Sequence, residues 1–194
     1  MQNIEINHYI YSISEIKKLI SNDSYFNDYF REQSDNFFTE SNPKIAEYLK
    51  NKALQHENEG SIRTYLIVNI DNLEVIGYFC LKIVNVKFKD EVSSKLRKKI
   101  SKTADKNGEF PTILITKLAR NDLYKNVVDG KVIMEYALSI AEDVYQKIAL
   151  RHVCVDWYES EYLFNFYCEK CGFKKFQENH KNGEEKLISA FYKF

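Results

Sequence analysis

The hydrophobic pattern changes period several times in the second part of the chain, and this alternation limits the fold more than any other feature. Two β-rich runs, RTYLIVNI and EVIGYFCLKIV, flank Asp71 and Asn72, which predicts an antiparallel hairpin. Strand-like and helix-like segments then alternate, which favours an α/β protein with some parallel strand pairing. In chain order these segments are the strand TILITKLA, the helix KVIMEYALSIAEDVYQKI, the strand RHVCVDW, the helix SEYLFNFYCEKCG closed by Gly172, and the strands FKKFQ and KLISAFYKF.

The first third of the sequence is mostly helical in pattern. A short opening strand is predicted near Ile4 to Tyr9, and Ser14 is predicted to cap the helix that follows. Its apolar face is predicted to carry Ile16, Leu19 and Ile20.

The segment SNPKIAEYLKNKALQHENEG carries clearer helix signals. Ser41 or Asn42 is predicted as the cap, Pro43 as the first helical residue and Gly60 as the end. The residues at the spacing of a core-facing stripe are Ile45, Tyr48, Leu49, Lys52 and Ala53.

Charge is balanced over the chain but not locally. Lys plus Arg and Asp plus Glu number 28 each, so no overall field favours a nucleic-acid or membrane partner. Lys87 to Lys106 holds eight basic against three acidic residues, on and around a helix predicted over Glu91 to Ser101. Its basic side chains suit either a solvated face, which the flanking acids favour, or an RNA backbone. They belong to Lys95, Arg97, Lys98, Lys99 and Lys102.

The four cysteines are too few and too unevenly spaced for a secreted disulfide framework. Cys168 and Cys171 form a C-x-x-C pair, but no second pair or spaced histidines complete a zinc site. The pair also lies at the end of its predicted helix, where the dipole does not lower a thiol pKa. We expect helix residues, no metal, and a single cytoplasmic domain of 194 residues without a secretory signal or membrane span.

Phe166, Tyr167, Gly172 and Phe173 resemble the motif near the C-terminus of the GNAT (Gcn5-related N-acetyltransferase) superfamily. ILITKLARNDLYKNVVDGKVIMEYAL is similar to the strand, acyl-CoA loop and helix of that superfamily, and HVCVDWYESEYLFNFY to its next strand and helix. The opening segment PKIAEYLKNKALQHENEGSIRTYLIVNIDNLEVIGYFCLK, the insert VSSKLRKKI and the strand FPTILITKLA are similar to the branch that contains the tRNA-acetylating toxins of toxin–antitoxin pairs. The resemblance implies a GNAT fold, a mixed and mostly antiparallel sheet that is splayed at its centre and flanked by helices.

The resemblance also implies a reaction, the transfer of an acetyl group from acetyl-CoA to a primary amine by direct attack. Tyr167 matches the general acid that protonates the departing thiolate. The backbone of the strand end matches the positions that contact the pantetheine arm, and the loop after it matches the pyrophosphate site at a helix N-terminus. The residues so assigned to acetyl-CoA are Leu118, Ala119, Arg120, Lys125, Asn126, Val127, Val128, Asp129, Gly130, Lys131 and Ser160.

The loop departs from the superfamily pattern, which usually reads Q/R-x-x-G-x-G/A. Of its glycines only Gly130 is kept. The β-branched Val128 resists close approach of a phosphate, and Asp129 places a carboxylate where the pyrophosphate charge would lie. Lys125, Lys131 and Arg120 offer side-chain charge instead. Two functions therefore stay open: an N-acetyltransferase, and a GNAT-fold binding or regulatory protein with impaired CoA binding.

The acceptor is left open between a small amine, a protein amine and an aminoacyl-tRNA. Asp156, Glu159 and Glu161 lie near the end of the strand that would border the acceptor, but such carboxylates are usually solvated and none is assigned as a general base. An RNA partner is left open and not favoured, and the superfamily's frequent dimers leave a homodimer open.

Overall fold

The structure of the protein, a computed structural model, describes residues 7–102, 104–105, 107–181 and 185–194. Seven strands form one sheet in the order β1-β2-β3-β4-β5-β7-β6. The pairs β1–β2, β2–β3, β5–β7 and β6–β7 are antiparallel, whereas β4 and β5 are parallel. The strands are β1 (His8–Ser12), β2 (Arg63–Asn69), β3 (Val75–Lys87), β4 (Glu109–Arg120), β5 (His152–Tyr158), β6 (Lys174–Lys181) and β7 (Glu185–Lys193).

Seven α-helices and three other helical turns connect the strands within the described residues. Two of the turns are π-helical and continue an α-helix, whereas the third is a 3₁₀ turn after β4. The helices are α1 (Ile13–Ile20), α2 (Asp23–Asn36), α3 (Pro43–Tyr48), α4 (Leu54–Asn58), α5 (Ser94–Ile100), α6 (Gly130–Ile148) and α7 (Glu161–Phe164), the π turns Leu49–Ala53 and Asn165–Lys170, and the 3₁₀ turn Asp122–Tyr124.

The predicted fold class is confirmed, since this is an α/β chain with a mixed and mostly antiparallel sheet flanked by helices. The parallel ladder between β4 and β5 covers only Ile113–Ile115 and Val153–Val155, although both strands are longer. The two strands are thus joined over three residue pairs, as expected of a splayed centre.

Two details of the N-terminal prediction are wrong. The residue that caps α1 is Ser12, which exchanges hydrogen bonds with Glu15 in a capping box. Ser14 lies inside the helix, where its hydroxyl donates to the carboxylate of Glu57 at 2.6 Å. Leu19 is 66% exposed and does not face the core. Of the predicted opening strand, residues 4–6 lie outside the described residues, and β1 begins at His8.

The helix predicted from Pro43 does begin there, after Asn42, and Gly60 takes a left-handed conformation with φ of 67° just beyond its end. The π turn within it was not predicted. Its buried stripe includes Tyr48, Leu49 and Ala53, but Lys52 is exposed.

The chain divides into two compact units, Met1–Leu81 with Lys117–Ile133, and Lys82–Thr116 with Met134–Phe194. In the first unit, Phe26, Phe30 and Tyr78 belong to one buried cluster. In the second, Phe88, Phe110 and Phe191 belong to another. That the chain acts as a single domain stays a prediction.

The basic helix α5 belongs to the second unit and begins after its cap, Ser93. Arg97 donates from Nε to the Val92 carbonyl at 2.8 Å and from Nη2 to the Lys89 carbonyl at 2.6 Å. This guanidinium therefore fixes the local backbone, whereas Lys95, Lys98, Lys99 and Lys102 are exposed. Within the part of the chain that the structure describes, no helix is both long and apolar enough to cross a membrane.

His152, at the start of β5, is a buried imidazole in the second unit. Its Nε2 contacts the Ile100 carbonyl, and its ring meets that of Phe110 edge-on at 5.4 Å. Burial lowers the pKa of His152, and the charges of Lys193 and Arg151 lower it further, against the opposing effect of the bond to Ile100.

We predict that acid destabilises the protein partly through His152. Because the folded pKa lies below the ordinary value of 6.5, the unfolded chain binds the proton more readily. The contribution of the neutral His152 to the free energy of unfolding is therefore complete above about pH 6.5, and it is lost as the pH falls through the lowered pKa of His152. Urea unfolding between about pH 7.5 and about pH 5 measures this. His152→Gln should flatten the dependence, and equal slopes in the wild type and His152→Gln would contradict the assignment.

Candidate functional site

The end of β4 is fixed by Asn121, which is only 3% exposed. Its backbone N–H donates to the Ile76 carbonyl at 2.7 Å, and its side-chain amide donates to the Val75 carbonyl at 3.2 Å. Its side-chain oxygen accepts the N–H of Leu123 and so starts the next turn. Of the strand residues before it, Ala119 is buried, and Leu118 and Arg120 are partly buried.

The turn that follows is anchored at two further points. The N–H of Asp122 donates to the Phe38 carbonyl at 2.8 Å, and its carboxylate accepts the N–H of Glu40 at 2.7 Å. The phenol of Tyr124 donates to the carboxylate of Glu74 at 2.5 Å. Sequence reasoning missed Asn121, Asp122 and Tyr124 as anchors, because their partners are distant in the chain.

The loop uses much of its own backbone hydrogen-bonding capacity. The N–H groups of Val127 and Val128 both donate to the Tyr124 carbonyl at 3.0 Å, and that of Lys125 donates to the Asp122 carbonyl at 3.1 Å. Arg120 donates from Nη1 to the Val128 carbonyl at 2.7 Å. Three of the loop amides are therefore committed to other loop atoms, and Arg120 is tied to the loop backbone.

Asp129 caps the N-terminus of α6. Its carboxylate accepts the N–H of Lys131 at 2.8 Å, and its carbonyl accepts the N–H of Val132 at 3.0 Å. A donor that would otherwise be open to an anion is thereby satisfied by the chain itself. Among the described residues, no acceptor is found for the N–H groups of Asn126, Asp129 and Gly130, so three amides remain for a ligand at this loop.

Tyr167 lies in the second unit, in the π turn that continues α7. Its ring stacks on that of Trp157 with centroids 5.0 Å apart and meets Phe166 and Phe173 edge-on. Burial, followed by the nearby Cys171 and Tyr162, raises the pKa of Tyr167 to about 12. The phenol therefore holds its proton throughout the neutral range.

Ser160 caps α7, where its hydroxyl accepts the N–H of Leu163 at 3.4 Å. Its predicted contact with acetyl-CoA stays a prediction, as do the roles of Tyr167 and of the loop. The predicted residues fall into two sets, with Leu118 to Lys131 in the first unit and Ser160 and Tyr167 in the second.

The C-x-x-C pair ends the same helical segment. Cys168 is partly buried, Cys171 is buried, and neither forms a disulfide. Burial raises the pKa of Cys168, the reverse of what activates a thiol. Gly172 follows with φ of 78°, as predicted for the end of the segment. Across the described ranges of the chain, no three His, Cys, Asp or Glu side chains are grouped as metal ligands.

Gly77 lets three segments of the first unit come close together, the start of β3, the end of β4 and the start of α6. A Cβ at this position would lie 2.6 Å from Cδ1 of Ile133, in α6, and 2.9 Å from the carbonyl oxygen of Ala119, in β4. Contacts this short are essentially not tolerated, and a carbonyl oxygen cannot swing away as a side-chain tip can. The residue at 77 therefore sets how the strand end and the helix start are placed beside β3.

Comparison with known proteins gives structural matches only. No protein-family model matches the sequence, and no curated protein matches it. A tyrosine-to-phenylalanine mutant of KacT is 16% identical, with a TM-score of 0.69 over 96% of this chain and 94% of that chain. AtaT complexed with acetyl-methionyl-tRNAfMet is 15% identical, with a TM-score of 0.65 over 96% and 95%. AtaTR bound with AcCoA is 13% identical, with a TM-score of 0.60 over 96% and 93%. These matches confirm the GNAT fold that the sequence resemblance implies.

We predict that Gly77→Ala destabilises the protein by about 1–3 kcal/mol, because the added methyl group overpacks the junction of β3, β4 and α6. Ile133→Val removes the Cδ1 atom and by itself costs about 1 kcal/mol. The double variant should lose less stability than the sum of the two single variants, since one of the two clashes is gone. Denaturant unfolding of all four proteins measures this coupling. Strict additivity would show that the contact with Ile133 is not what excludes a larger residue.

Proposed function

We propose that this protein is an N-acetyltransferase that moves the acetyl group of acetyl-CoA to a primary amine, with Tyr167 as the general acid. The observation that carries the proposal is the Tyr167 phenol, which is held against Trp157 and keeps its proton at neutral pH. It lies on a segment whose sequence resembles the catalytic motif of the superfamily, in a chain that has the superfamily's fold.

The chemistry requires little else of the protein. The amine nitrogen attacks the thioester carbonyl carbon, so that a C–N bond forms and the C–S bond breaks. The Tyr167 hydroxyl hydrogen-bonds to the departing sulfur and gives it a proton. The proton that the new amide nitrogen loses then replaces the one that the phenol has given up. No covalent enzyme intermediate is needed.

The structural neighbours support both the cosubstrate and a class of acceptor. AtaTR has been solved with AcCoA and AtaT with acetyl-methionyl-tRNAfMet, whose acetylated group is an α-amine of an aminoacyl-tRNA. We therefore propose acetyl-CoA as the acetyl donor and methionyl-tRNA as the first acceptor to test. AtaR, an antitoxin, accompanies AtaT in another similar structure, which extends the proposal to a protein partner of this kind.

A second candidate function, a binding or regulatory protein without turnover, is favoured by Asp129. This carboxylate occupies a helix N–H and adds negative charge beside the amides that a pyrophosphate would use. The amides of Asn126, Asp129 and Gly130 still leave a reduced anion site, and Arg120 and Lys125 add positive charge near it.

Binding of acetyl-CoA separates the two functions. At a hundredfold excess over its Kd, a ligand of the folded state adds about 2.7 kcal/mol of stability. For a chain of this length we expect Tm to rise by roughly 5–10 °C in thermal unfolding. Free CoA, which lacks the acetyl group, is the control that shows how much of the rise in Tm comes from the CoA part of the ligand. An unchanged Tm at millimolar acetyl-CoA would contradict the transferase.

Tyr167→Phe removes the proton donor but keeps the ring on Trp157. We expect kcat for acetylation of methionyl-tRNA to fall by about 10²- to 10⁴-fold, with acetyl-CoA still raising Tm. Tyr162→Phe is the matched control, since Tyr162 is 75% exposed on the same helical segment, and it should keep full activity. Wild-type turnover in Tyr167→Phe would remove this residue from the mechanism.

Asp129→Asn tests the altered loop. Asparagine caps a helix about as well as aspartate, so α6 should keep its start while one negative charge leaves the site. The affinity for acetyl-CoA should rise by about threefold to tenfold at low salt, and the gain should shrink as salt is added. Asp143→Asn makes the same charge change at an exposed position of α6, far from its start, and should leave the affinity unchanged. An equal gain in both variants would point to net charge alone.

A further inference from the structure

Basic residues from three segments of the second unit meet at the C-terminal end of α5. Lys193, the last residue of β7, donates from Nζ to the Lys99 carbonyl at 3.1 Å. In the β5–β7 ladder Lys193 is paired with His152, and the N–H of Phe194 donates to the Arg151 carbonyl at 3.3 Å. The end of α5, the start of β5 and the end of β7 therefore bring Lys99, Arg151 and Lys193 together.

The charges of this group act on one another. Burial, followed by the charges of Arg151 and Lys102, lowers the pKa of Lys193. Lys102, two residues beyond α5, thus belongs to the same group. We call these four residues, Lys99, Lys102, Arg151 and Lys193, the cationic cluster. All four are exposed, and like charges placed so close together repel one another.

No carboxylate offsets this repulsion within the described part of the chain, where no ion pair is found for any side chain of the cationic cluster. Asp90 and Glu91 precede the opposite end of α5, and Asp90 is 3.9 Å from Arg97. The carboxylate of Asp105 accepts two N–H groups of its own loop. The acids that flank α5 in the sequence therefore do not neutralise its C-terminal end.

A polyanion is the ligand that relieves such repulsion. The ammonium group of Lys193 is enough to satisfy the Lys99 carbonyl, so the capping of α5 does not account for Lys102 and Arg151. A nucleic-acid backbone carries one negative charge about every 3.4 Å along each strand, which suits several cations on one surface. Lysine and arginine side chains bind such phosphates without reading the bases.

We propose that the cationic cluster binds the phosphate backbone of an RNA acceptor. This inference rests on the proposed acetyltransferase function and names the surface that holds the body of its substrate. The cluster lies beside His152, whereas Trp157, which supports Tyr167, lies five residues further along β5, at about 17 Å. At about 3.4 Å for each nucleotide of a stacked strand, the phosphates bound here are about five nucleotides from the acetylated end.

The first test is binding, which needs neither acetyl-CoA nor turnover. Fluorescence anisotropy gives the Kd of labelled, deacylated tRNA from about 50 to about 200 mM salt. Each phosphate neutralised contributes about 0.7–0.9 to the slope of log Kd against log salt, so we expect the cluster to contribute about 3. The double variant Lys102→Gln/Arg151→Gln should lower the slope by about two and weaken binding by about tenfold at the lowest salt.

The matched control is Lys18→Gln/Lys52→Gln, which removes the same charge from exposed positions of the first unit and should keep the slope. An equal loss in this control would show an effect of net charge alone and overturn the proposal. So would an unchanged slope in Lys102→Gln/Arg151→Gln, or equally tight binding of poly-L-glutamate, which would point to an acidic protein. Thermal unfolding of each variant checks that weaker binding does not reflect a lost fold.

Acetylation then distinguishes this inference from the function on which it rests. With methionyl-tRNA, Lys102→Gln/Arg151→Gln should raise KM by about tenfold at an unchanged kcat. With methionyl-CCA, which is too short to reach the cluster, the variant and the wild type should have equal kcat/KM. An unchanged KM for methionyl-tRNA, or an equal rise for both acceptors, means that the inference fails and the transferase stands. If tRNA binding depends on the cluster but nothing is acetylated, the surface stands and the transferase fails.

Discussion

The short parallel ladder between β4 and β5 is the constraint on which the rest of the structure depends. Parallel neighbours cannot be joined by a tight turn, so the chain must leave β4, cross over through a helix and return to the start of β5. That crossover produces the loop after Arg120 and the whole of α6. The ladder stops after three residue pairs, so the last residues of β4 and β5 do not belong to it. At the end of β5 only the edge toward β4 is free in this way, since Asp156 to Tyr158 remain paired with β7.

The loop after β4 shows how the same helix start can meet two competing demands. A capping carboxylate stabilises α6 by about 1 kcal/mol and requires no ligand. A phosphate-binding loop leaves those donors open and depends on the ligand to satisfy them. Asp129 caps α6 with its carboxylate, whereas the amides of Asn126, Asp129 and Gly130 have no acceptor among the described residues and are available to an anion. A loop that stabilises the free protein by capping its own helix therefore has a lower affinity for an anion.

The elements that follow from local pattern were predictable from the sequence. The hairpin of β2 and β3, the succession β4, α6 and β5, and the glycines that end two helical segments all depend on periodicity and backbone preference. The cap at Ser12 was also within reach, because Ser12 and Glu15 have the spacing of a capping box.

The features that the sequence did not predict depend on partners far away in the chain. Tyr124 is an anchor only because Glu74 lies opposite, and Asp156 is oriented only because β7 brings Ser189 to it. Neither pairing leaves a periodic signal. The residue types of the candidate site could therefore be predicted from the sequence, but their arrangement could be seen only in the tertiary structure.

The π turn at Asn165–Lys170 has a consequence for how this chain can change over time. A π turn is in effect an α-helix that has accepted one additional residue, and each residue of an α-helix turns the chain by about 100°. Deleting one residue there would restore regular winding and rotate the ring of Tyr167 away from Trp157 without changing either amino acid. Two homologues with every aromatic residue in common can thus differ in chemistry through an insertion or deletion of a single codon.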